Sequence, residues 1–169
     1  MHNLAEQLPM SRTQSISELE TEIRDFINRP RRQHELLADP ASWNTLCSAL
    51  DVIDDTELAL EAYAKWERRS KDGEKYLLVY GALQVMEVQQ DAVKYICETL
   101  GLPYSRPKEL DAIRIIRNDA IGHAMYGEQD KMSKSSFIQR FDMSQGSFTL
   151  LTVFSDRRDY VRRQAIWAN

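Results

Sequence analysis

The sequence predicts an all-α fold, an up-and-down bundle of four to five helices with a small C-terminal β-hairpin. Apolar residues recur at helical spacing in several segments, each bounded by capping or turn residues. One of these segments, residues 74–100, contains no proline and carries apolar residues on more than one side, which is typical of a central helix. Near the C-terminus the period changes to strict alternation, which indicates β-strands.

The first helix is predicted after residues 1–14, which lack periodicity and are expected to form a loose lead-in. Ser15 and Glu18 have the spacing of a capping box, as do Ser17 and Glu20. The apolar residues that follow share one helical stripe: Ile16, Leu19, Ile23, Phe26 and Ile27. Pro30 ends this helix, and the basic segment RPRRQ around it is expected to be a solvated link.

Two further helices are predicted between residues 39 and 100. Asp39 is a candidate cap for the second helix, and the proline that follows suits a first turn. Its expected buried stripe comprises Trp43, Leu46, Cys47, Leu50 and Ile53. Residues 54–56 could interrupt and recap this helix, with their two acids as caps rather than metal ligands. The turn SKDG leads to the long helix, which Gly101 ends.

The C-terminal part is predicted to contain one more helix and the hairpin. The helix begins near Lys108, and its expected inward residues are Leu110, Ile113, Ile116, Ala120 and Ile121. Around SQG at 144–146, alternating residues predict the hairpin: Phe137, Gln139, Phe141, Phe148, Leu150, Thr152 and Phe154. Residues 159–167 fit either a final helix or an extended arm. We therefore expect one helical domain over residues 15–130, with residues 131–169 packed on it.

Length and composition indicate an ordinary globular protein. The chain has 169 residues, of which 43% are hydrophobic and 28% charged, enough for one domain with a sizeable core. The longest apolar run, residues 76–83, is too short to span a bilayer, and the N-terminus has no apolar signal core. We expect a cytoplasmic protein without a membrane partner. Cys47 and Cys97 lie among apolar neighbours and are expected to be buried thiols.

The stretch RIIRNDAIGH, residues 114–123, combines residue types that suit phosphate chemistry. Arg117 offers a permanently charged fork for phosphate, and His123 offers a proton donor or acceptor near neutral pH. Asp119 lies four residues before His123, so its carboxylate could orient the imidazole if the helix persists. Arg117 and His123 are about 120° apart around an ideal helix. They could serve one site if the helix loosens near Gly122, or if two chains contribute.

The stretch RIIRNDAIGH lies in the more basic part of the chain and has further candidate supporting residues near it. Residues 1–100 carry 11 Lys and Arg against 18 Asp and Glu, whereas residues 101–169 carry 11 against 8. The basic C-terminal part is compatible with a polyanion site and equally with ordinary surface charge. Arg114 lies one turn before Arg117 and is a candidate supporting residue of the site. Gln89, Gln90 and Asp91 could support Arg117 and His123, or they could be structural or exposed.

Several enzyme classes are excluded by missing motifs. The sequence has no glycine-rich phosphate loop after a strand and no G-x-S-x-G elbow. It also has no Cys/His cluster with zinc spacing. We therefore expect neither a metal ion nor a cofactor at the site.

The stretch resembles the signature of the HEPN superfamily, small helical domains that include many RNA-cleaving toxins and defence proteins. The family pattern is an Arg, four to six residues and a His, very often with Asn directly after the Arg. Here Arg117, Asn118 and His123 match it. The upstream segment YLLVYGALQVMEVQQDAVKYI looks like the long core helix of HEPN-like bacterial proteins. The resemblance covers about residues 40–125.

The resemblance implies a metal-independent endoribonuclease that acts as a homodimer, with the Arg and His motifs of both chains in one cleft. It implies His123 as general acid and base for attack of the RNA 2′-hydroxyl on its phosphate. It implies Arg117 as the group that holds the phosphate and stabilises developing charge, with Asn118 orienting the phosphate or the motif backbone. Family members paired with a nucleotidyltransferase antitoxin often have a Tyr two residues after the His. Here Tyr126 is three residues after it, so an antitoxin partner of that kind stays open.

Two other interpretations remain. Some HEPN-like proteins have lost cleavage and serve as dimerisation modules or as nucleotide- or RNA-binding modules. The match could also be a coincidence on a structural helix.

Overall fold

The computed structural model describes residues 15–66, 70–122, 134–154 and 160–166. Within these ranges the chain is mostly helical and ends in a small antiparallel sheet. The α-helices are α1 (Ile16–Ile27), α2 (Pro30–Leu37), α3 (Pro40–Ala64), α4 (Asp72–Thr99) and α5 (Lys108–Arg117). The strands are β1 (Lys134–Ile138), β2 (Ser147–Phe154) and β3 (Tyr160–Ile166). No helix in these ranges has both the length and the apolar character that a membrane crossing requires.

Of the two capping boxes predicted at the start of α1, that of Ser15 and Glu18 is confirmed. Ser15 Oγ accepts from the Glu18 backbone N–H at 3.2 Å, and Glu18 Oε2 accepts from the Ser15 N–H at 2.8 Å. Of the predicted apolar stripe, Ile27 is buried and the half-buried Ile23 packs against the same cluster, whereas the remaining members are exposed: Ile16, Leu19 and Phe26. The buried side of α1 instead includes Glu20, whose carboxylate pairs with Arg24 on the next turn. A charged pair therefore replaces part of the expected apolar contact.

Two segments predicted as breaks are helical. The RPRRQ segment begins α2, because Pro30 occupies the first helical position, where a missing N–H breaks no hydrogen bond. Glu35 pairs with two arginines one turn earlier in this helix. The suggested interruption at residues 54–56 is also wrong, since α3 is continuous there. The hydroxyl of Thr56 donates to the Ile53 carbonyl at 2.8 Å, so this buried polar group is satisfied within the helix.

The predicted central role of the long helix is confirmed, because α4 contributes to both hydrophobic clusters of the described residues. One cluster joins α1, α3 and the C-terminal half of α4: Ile27, Leu46, Ala49, Leu50, Ile53, Ala92 and Ile96. The other includes the N-terminal half of α4 and the sheet: Trp66, Val79, Leu83, Ala120, Ile138, Met143, Phe148, Leu150 and Ala165. Gly101 follows α4 with φ 67°, a left-handed conformation that favours glycine and ends the helix. Cys47 and Cys97 are free thiols that are half-buried rather than fully buried.

The C-terminal sheet has the strand order β1-β2-β3, and both neighbouring pairs are antiparallel. The predicted hairpin is present as β1 and β2. A third strand, β3, is added to it by residues 160–166, which were predicted to form either a helix or an extended arm. In β2 the predicted inward residues Phe148, Leu150 and Thr152 are buried, but Thr149 between them is buried as well and Phe154 is half-buried, so the alternation is confirmed only in part. The sheet therefore presents one face to α4 and the end of α5.

The alternation predicted for the first strand is wrong. Ser136 and Ile138 are buried, whereas Phe137 is 49% exposed. The cause is the register, which pairs Ile138 with Leu150 on the core face of β2. Successive side chains of a strand point to opposite faces, so Phe137 faces outward. Gln139 and the exposed Phe141 lie beyond the end of β1, the latter in a 3-10 turn at Arg140–Asp142.

Candidate functional site

The candidate site surrounds a change of helix type at the end of α5. This helix ends at Arg117, and Asn118–Gly122 form a π-helical turn directly after it. Such turns loosen the helix and often occur at functional sites. One of the two conditions for a shared site of Arg117 and His123, a loosening of the helix near Gly122, is therefore met. His123 and Tyr126 lie outside the described residues, so their roles stay predictions.

The guanidinium of Arg117 is held by three hydrogen bonds to amide oxygens. Its Nε and Nη2 donate to Gln84 Oε1 on α4 at 3.1 Å and 2.8 Å. Its Nη1 donates to Asn118 Oδ1 at 2.9 Å. Both acceptors are neutral, so they fix the orientation of the half-buried guanidinium without neutralising its charge.

Arg117 differs in this respect from most arginines of the structure. Arg24, Arg106 and Arg162, for example, each pair with a carboxylate, whereas Arg117 forms no ion pair among the described residues. A guanidinium has five N–H donors, and the three hydrogen bonds leave part of that capacity open. The oxygen of the Asn118 amide is occupied by Arg117, which leaves the amide nitrogen as a donor. Together these groups offer a positive charge and N–H donors to an anion.

Asp119 contacts the C-terminal sheet rather than α4. Its side chain is buried, and Oδ1 accepts from Lys134 Nζ on β1 at 2.7 Å. Its Oδ2 accepts from Arg163 Nη2 on β3. One carboxylate therefore joins the π-helical turn to both edge strands of the sheet. An additional role in orienting His123 stays a prediction.

Besides Gln84, the residues near the motif that the sequence did not predict are Lys134 and Arg163. They lie 15 and 44 residues from Asp119 in the chain, so no local spacing relates them. One signal was available for Arg163, because residues 160–166 fitted an extended arm as well as a helix. As a strand, this segment places Arg163 on the same face as Ala165, which is buried.

The other described candidates for supporting residues, Gln90, Asp91 and Arg114, form no hydrogen bond with Arg117 among the described residues. Asp91 pairs with Arg106 at 3.2 Å, and the buried Glu87 lies between Arg106 and Arg114, 3.3 Å and 3.5 Å from their nitrogens. Gln90 is buried, and neither polar atom of its side chain has a hydrogen-bond partner among the described residues. The polar contact from α4 to Arg117 is therefore made by Gln84, six residues before Gln90.

The environment of Asp119 predicts an acid-sensitive contribution to stability. Burial alone raises the pKa of this carboxyl, but the hydrogen bonds from Lys134 and Arg163 outweigh burial and leave its pKa below the usual value. A carboxyl whose pKa is lowered by folding stabilises the fold above its unfolded pKa and loses that contribution as pH falls through the folded value.

We therefore expect Asp119→Asn to lower the free energy of unfolding at pH 7 by about 1.5–3 kcal/mol, the range for hydrogen bonds to charged groups. The difference from wild type should shrink as pH falls below about 4, the usual pKa of an unfolded Asp. Denaturant melts from pH 7 to pH 3 measure this. A difference that stays constant with pH would contradict the assigned ionisation.

The kind of ligand that the site suits is indicated by its own side chains. Comparisons with protein-family models, curated proteins and solved structures find no match to this chain. Over the ranges described above, no group of three His, Cys, Asp or Glu side chains is placed to hold a metal ion. The described groups are instead a guanidinium without a carboxylate partner, an amide donor and, across the turn, a Lys and Arg pair. This is the chemistry of an anion-binding site.

Proposed function

We propose that the protein is a HEPN-like, metal-independent endoribonuclease of the toxin or defence type. The observation that carries the proposal is the guanidinium of Arg117, which is oriented by Gln84 and Asn118 and has no carboxylate partner among the described residues. A phosphodiester is a fitting partner for this charge. Preorganised donors of this kind stabilise the charge that develops when a phosphate is attacked.

In the proposed reaction, the 2′-oxygen of a ribose attacks the adjacent phosphorus, and the bond from phosphorus to the 5′-oxygen breaks. His123 takes the proton from the 2′-hydroxyl, and an imidazolium returns a proton to the leaving 5′-oxygen. The products are a 2′,3′-cyclic phosphate and a 5′-hydroxyl. Arg117 and the Asn118 amide nitrogen bind the phosphate oxygens during this step. The role of His123 rests on the HEPN resemblance.

We expect RNA cleavage to persist in EDTA and to leave cyclic phosphate ends, because the proposed groups transfer protons and bind phosphate without a metal ion. Denaturing gels give the rate, and phosphatase treatment with and without prior acid opening identifies the cyclic end. Wild-type protein dialysed against EDTA and then supplied with magnesium is the control. Activity that is lost on chelation and restored by magnesium would contradict the proposal.

We infer further that the helices form a HEPN-like bundle and that two copies meet in a two-fold homodimer with a composite site. Exposed apolar residues on α4, on α5 and between them support such a surface: Leu77, Val93, Tyr95, Leu102 and Ile115. Ile115 is 56% exposed and lies two residues before Arg117 on α5. A dimer that buries this part of α5 would bring the two motif helices together, with Arg117 on the side of α5 that faces α4 and Ile115 on a different side.

We expect light scattering to give the mass of a dimer and Ile115→Asp to give a monomer with greatly reduced cleavage. A charge buried in an apolar interface is strongly unfavourable, which is the physical reason for both effects. Leu58→Asp is the matched control, since Leu58 is also exposed but lies on α3. A stable wild-type monomer, or two motifs on opposite outer faces of the dimer, would exclude the composite site.

The alternative is a HEPN-like module that binds RNA or nucleotides without cleaving them. It is favoured by the same Arg117 geometry, because anion binding by the guanidinium and the Asn118 amide needs no proton transfer. Binding of RNA without cleavage under all conditions would support this alternative. An antitoxin protein partner, and the toxin assignment itself, rest on the resemblance.

A further inference from the structure

We propose that Lys134 and Arg163 form a second phosphate-binding site for RNA, on the side of the π-helical turn that faces the C-terminal sheet. The inference rests on the proposed RNA substrate and extends it to a part of the chain beyond the motif. The ligand chemistry is a phosphate group, which is either an internal phosphodiester or a terminal phosphate of the strand.

The first argument is charge. Lys134 and Arg163 both contact Asp119, so two positive charges share one carboxylate. The cluster therefore keeps one positive charge. The Lys134 and Arg163 side chains are 36% and 38% exposed, whereas that of Asp119 is 9% exposed. A ligand can reach the two cations from solvent while the carboxylate stays covered.

The second argument is the incomplete hydrogen bonding of Arg163. A single nitrogen, Nη2, donates both to Asp119 and to Thr152 Oγ1, the latter at 3.2 Å. The Nε–H is buried and has no acceptor among the described residues. A guanidinium with unmet donor capacity is suited to phosphate oxygens, which accept several N–H bonds at once. A small shift of this side chain toward a phosphate would satisfy the Nε–H.

The third argument is position. Asp119 lies two residues after Arg117, and two residues on an α-helix correspond to about 200° of rotation. In agreement with this geometry, Arg117 contacts α4 whereas Asp119 contacts the sheet. The two cationic groups therefore lie on different sides of one turn. An RNA strand that crosses this turn can place one phosphate on Arg117 and another on the Lys134 and Arg163 pair.

The experiment measures binding without cleavage. The probe is a short 2′-O-methyl RNA, which lacks the attacking hydroxyl, and its Kd is measured across a range of salt concentrations. Arg163→Gln and Lys134→Gln should each weaken binding for all sequences. Each should also reduce the slope of log K against log salt by about 0.7, the value for one phosphate contact of a single strand. Asp119→Asn should have the opposite effect, because it removes the negative charge of the cluster.

Arg162→Gln is the matched control. Arg162 is the neighbour of Arg163 in β3, so its side chain points to the opposite face of the sheet, where it pairs with Asp142 at 2.7 Å. This variant removes the same charge from the same strand, and its Kd and salt slope should stay close to those of wild type. Melting temperatures are measured for every variant. If Arg163→Gln does not fold, Lys134→Gln and Asp119→Asn provide the comparison.

The proposal is overturned if Arg163→Gln, or Lys134→Gln in its place, binds like Arg162→Gln with the same salt slope. It is also overturned if wild type does not bind the probe. A comparison of 5′-phosphorylated with 5′-hydroxyl RNA distinguishes the two phosphate sources, because a terminal-phosphate site loses affinity for the 5′-hydroxyl RNA. If wild type binds RNA but never cleaves it, and the Arg163 and Lys134 variants bind more weakly, the second phosphate site is supported and the nuclease proposal is rejected. If wild type cleaves RNA and the Arg163 and Lys134 variants bind the probe like wild type, the nuclease proposal is supported and the second phosphate site is rejected.

Discussion

His123→Ala is expected to lower RNA cleavage by about 10²–10⁴-fold, the contribution typical of general acid–base catalysis. The melting temperature should change little if the imidazole acts in proton transfer. In cells, expression of wild type should slow growth, and the variant should relieve this effect. Cleavage is measured on gels with the same RNA for all proteins, and thermal melts are recorded alongside.

His34→Ala is the control for this experiment, because His34 is an exposed histidine on α2. It should cleave like wild type. If wild type and His123→Ala are equally inert on several RNAs, the nuclease proposal fails. A HEPN-like helical module that binds without cleaving would then be the remaining interpretation.

Gln84→Glu is expected to impair cleavage almost as strongly as Arg117→Ala, for which we expect about a 10²–10³-fold loss, as for removal of one transition-state donor. The substituted carboxylate keeps the shape of the side chain and its acceptor for Arg117. It adds a negative charge that pairs with the guanidinium and so competes with phosphate. Stability should therefore be retained or increased while activity falls, an outcome that a merely structural Arg117 would not produce.

Gln84→Met separates the orientation of Arg117 from its charge. This variant removes the acceptor of two hydrogen bonds without adding a charge. It should lower kcat because Arg117 is less well oriented, but it should keep the salt dependence of RNA binding. If Gln84→Glu cleaves at the wild-type rate, Arg117 is not the group that binds the scissile phosphate.

Features that depend on neighbours in the chain could be predicted from the sequence. The Ser15 and Glu18 capping box, the extent of α4 and the start of α5 all follow from contacts within a few residues. The inward positions Phe148, Leu150 and Thr152 of β2 also followed from the alternating pattern, whereas the burial of Thr149 did not. The motif residues Arg117 and Asn118 were also identified from sequence, since their chemistry and spacing are local properties.

Other features depended on contacts between distant segments. The face of β1 was mispredicted because pairing with β2 sets the register, and the inner side of α1 carries Glu20 because Arg24 pairs with it and reaches α3. The most consequential case is the motif itself. The sequence suggested that residues 89–91 in the middle of α4 support Arg117. In the structure the contact from α4 is made by Gln84, which is 33 residues from Arg117 in the chain.

Which charges around the motif are neutralised depends on the three-dimensional arrangement of the helices and the sheet. The sequence does not show which of Arg117 and Arg163 pairs with a carboxylate, and it suggests Asp119 as a partner for His123. In the fold, α4 gives Arg117 a neutral acceptor, Gln84, whereas the sheet brings Arg163 and Lys134 to Asp119. The electrostatic interaction of a charge depends on its distance to other charges in space and on its burial. Neither quantity can be obtained from residue spacing when the partners lie on separate elements of the fold.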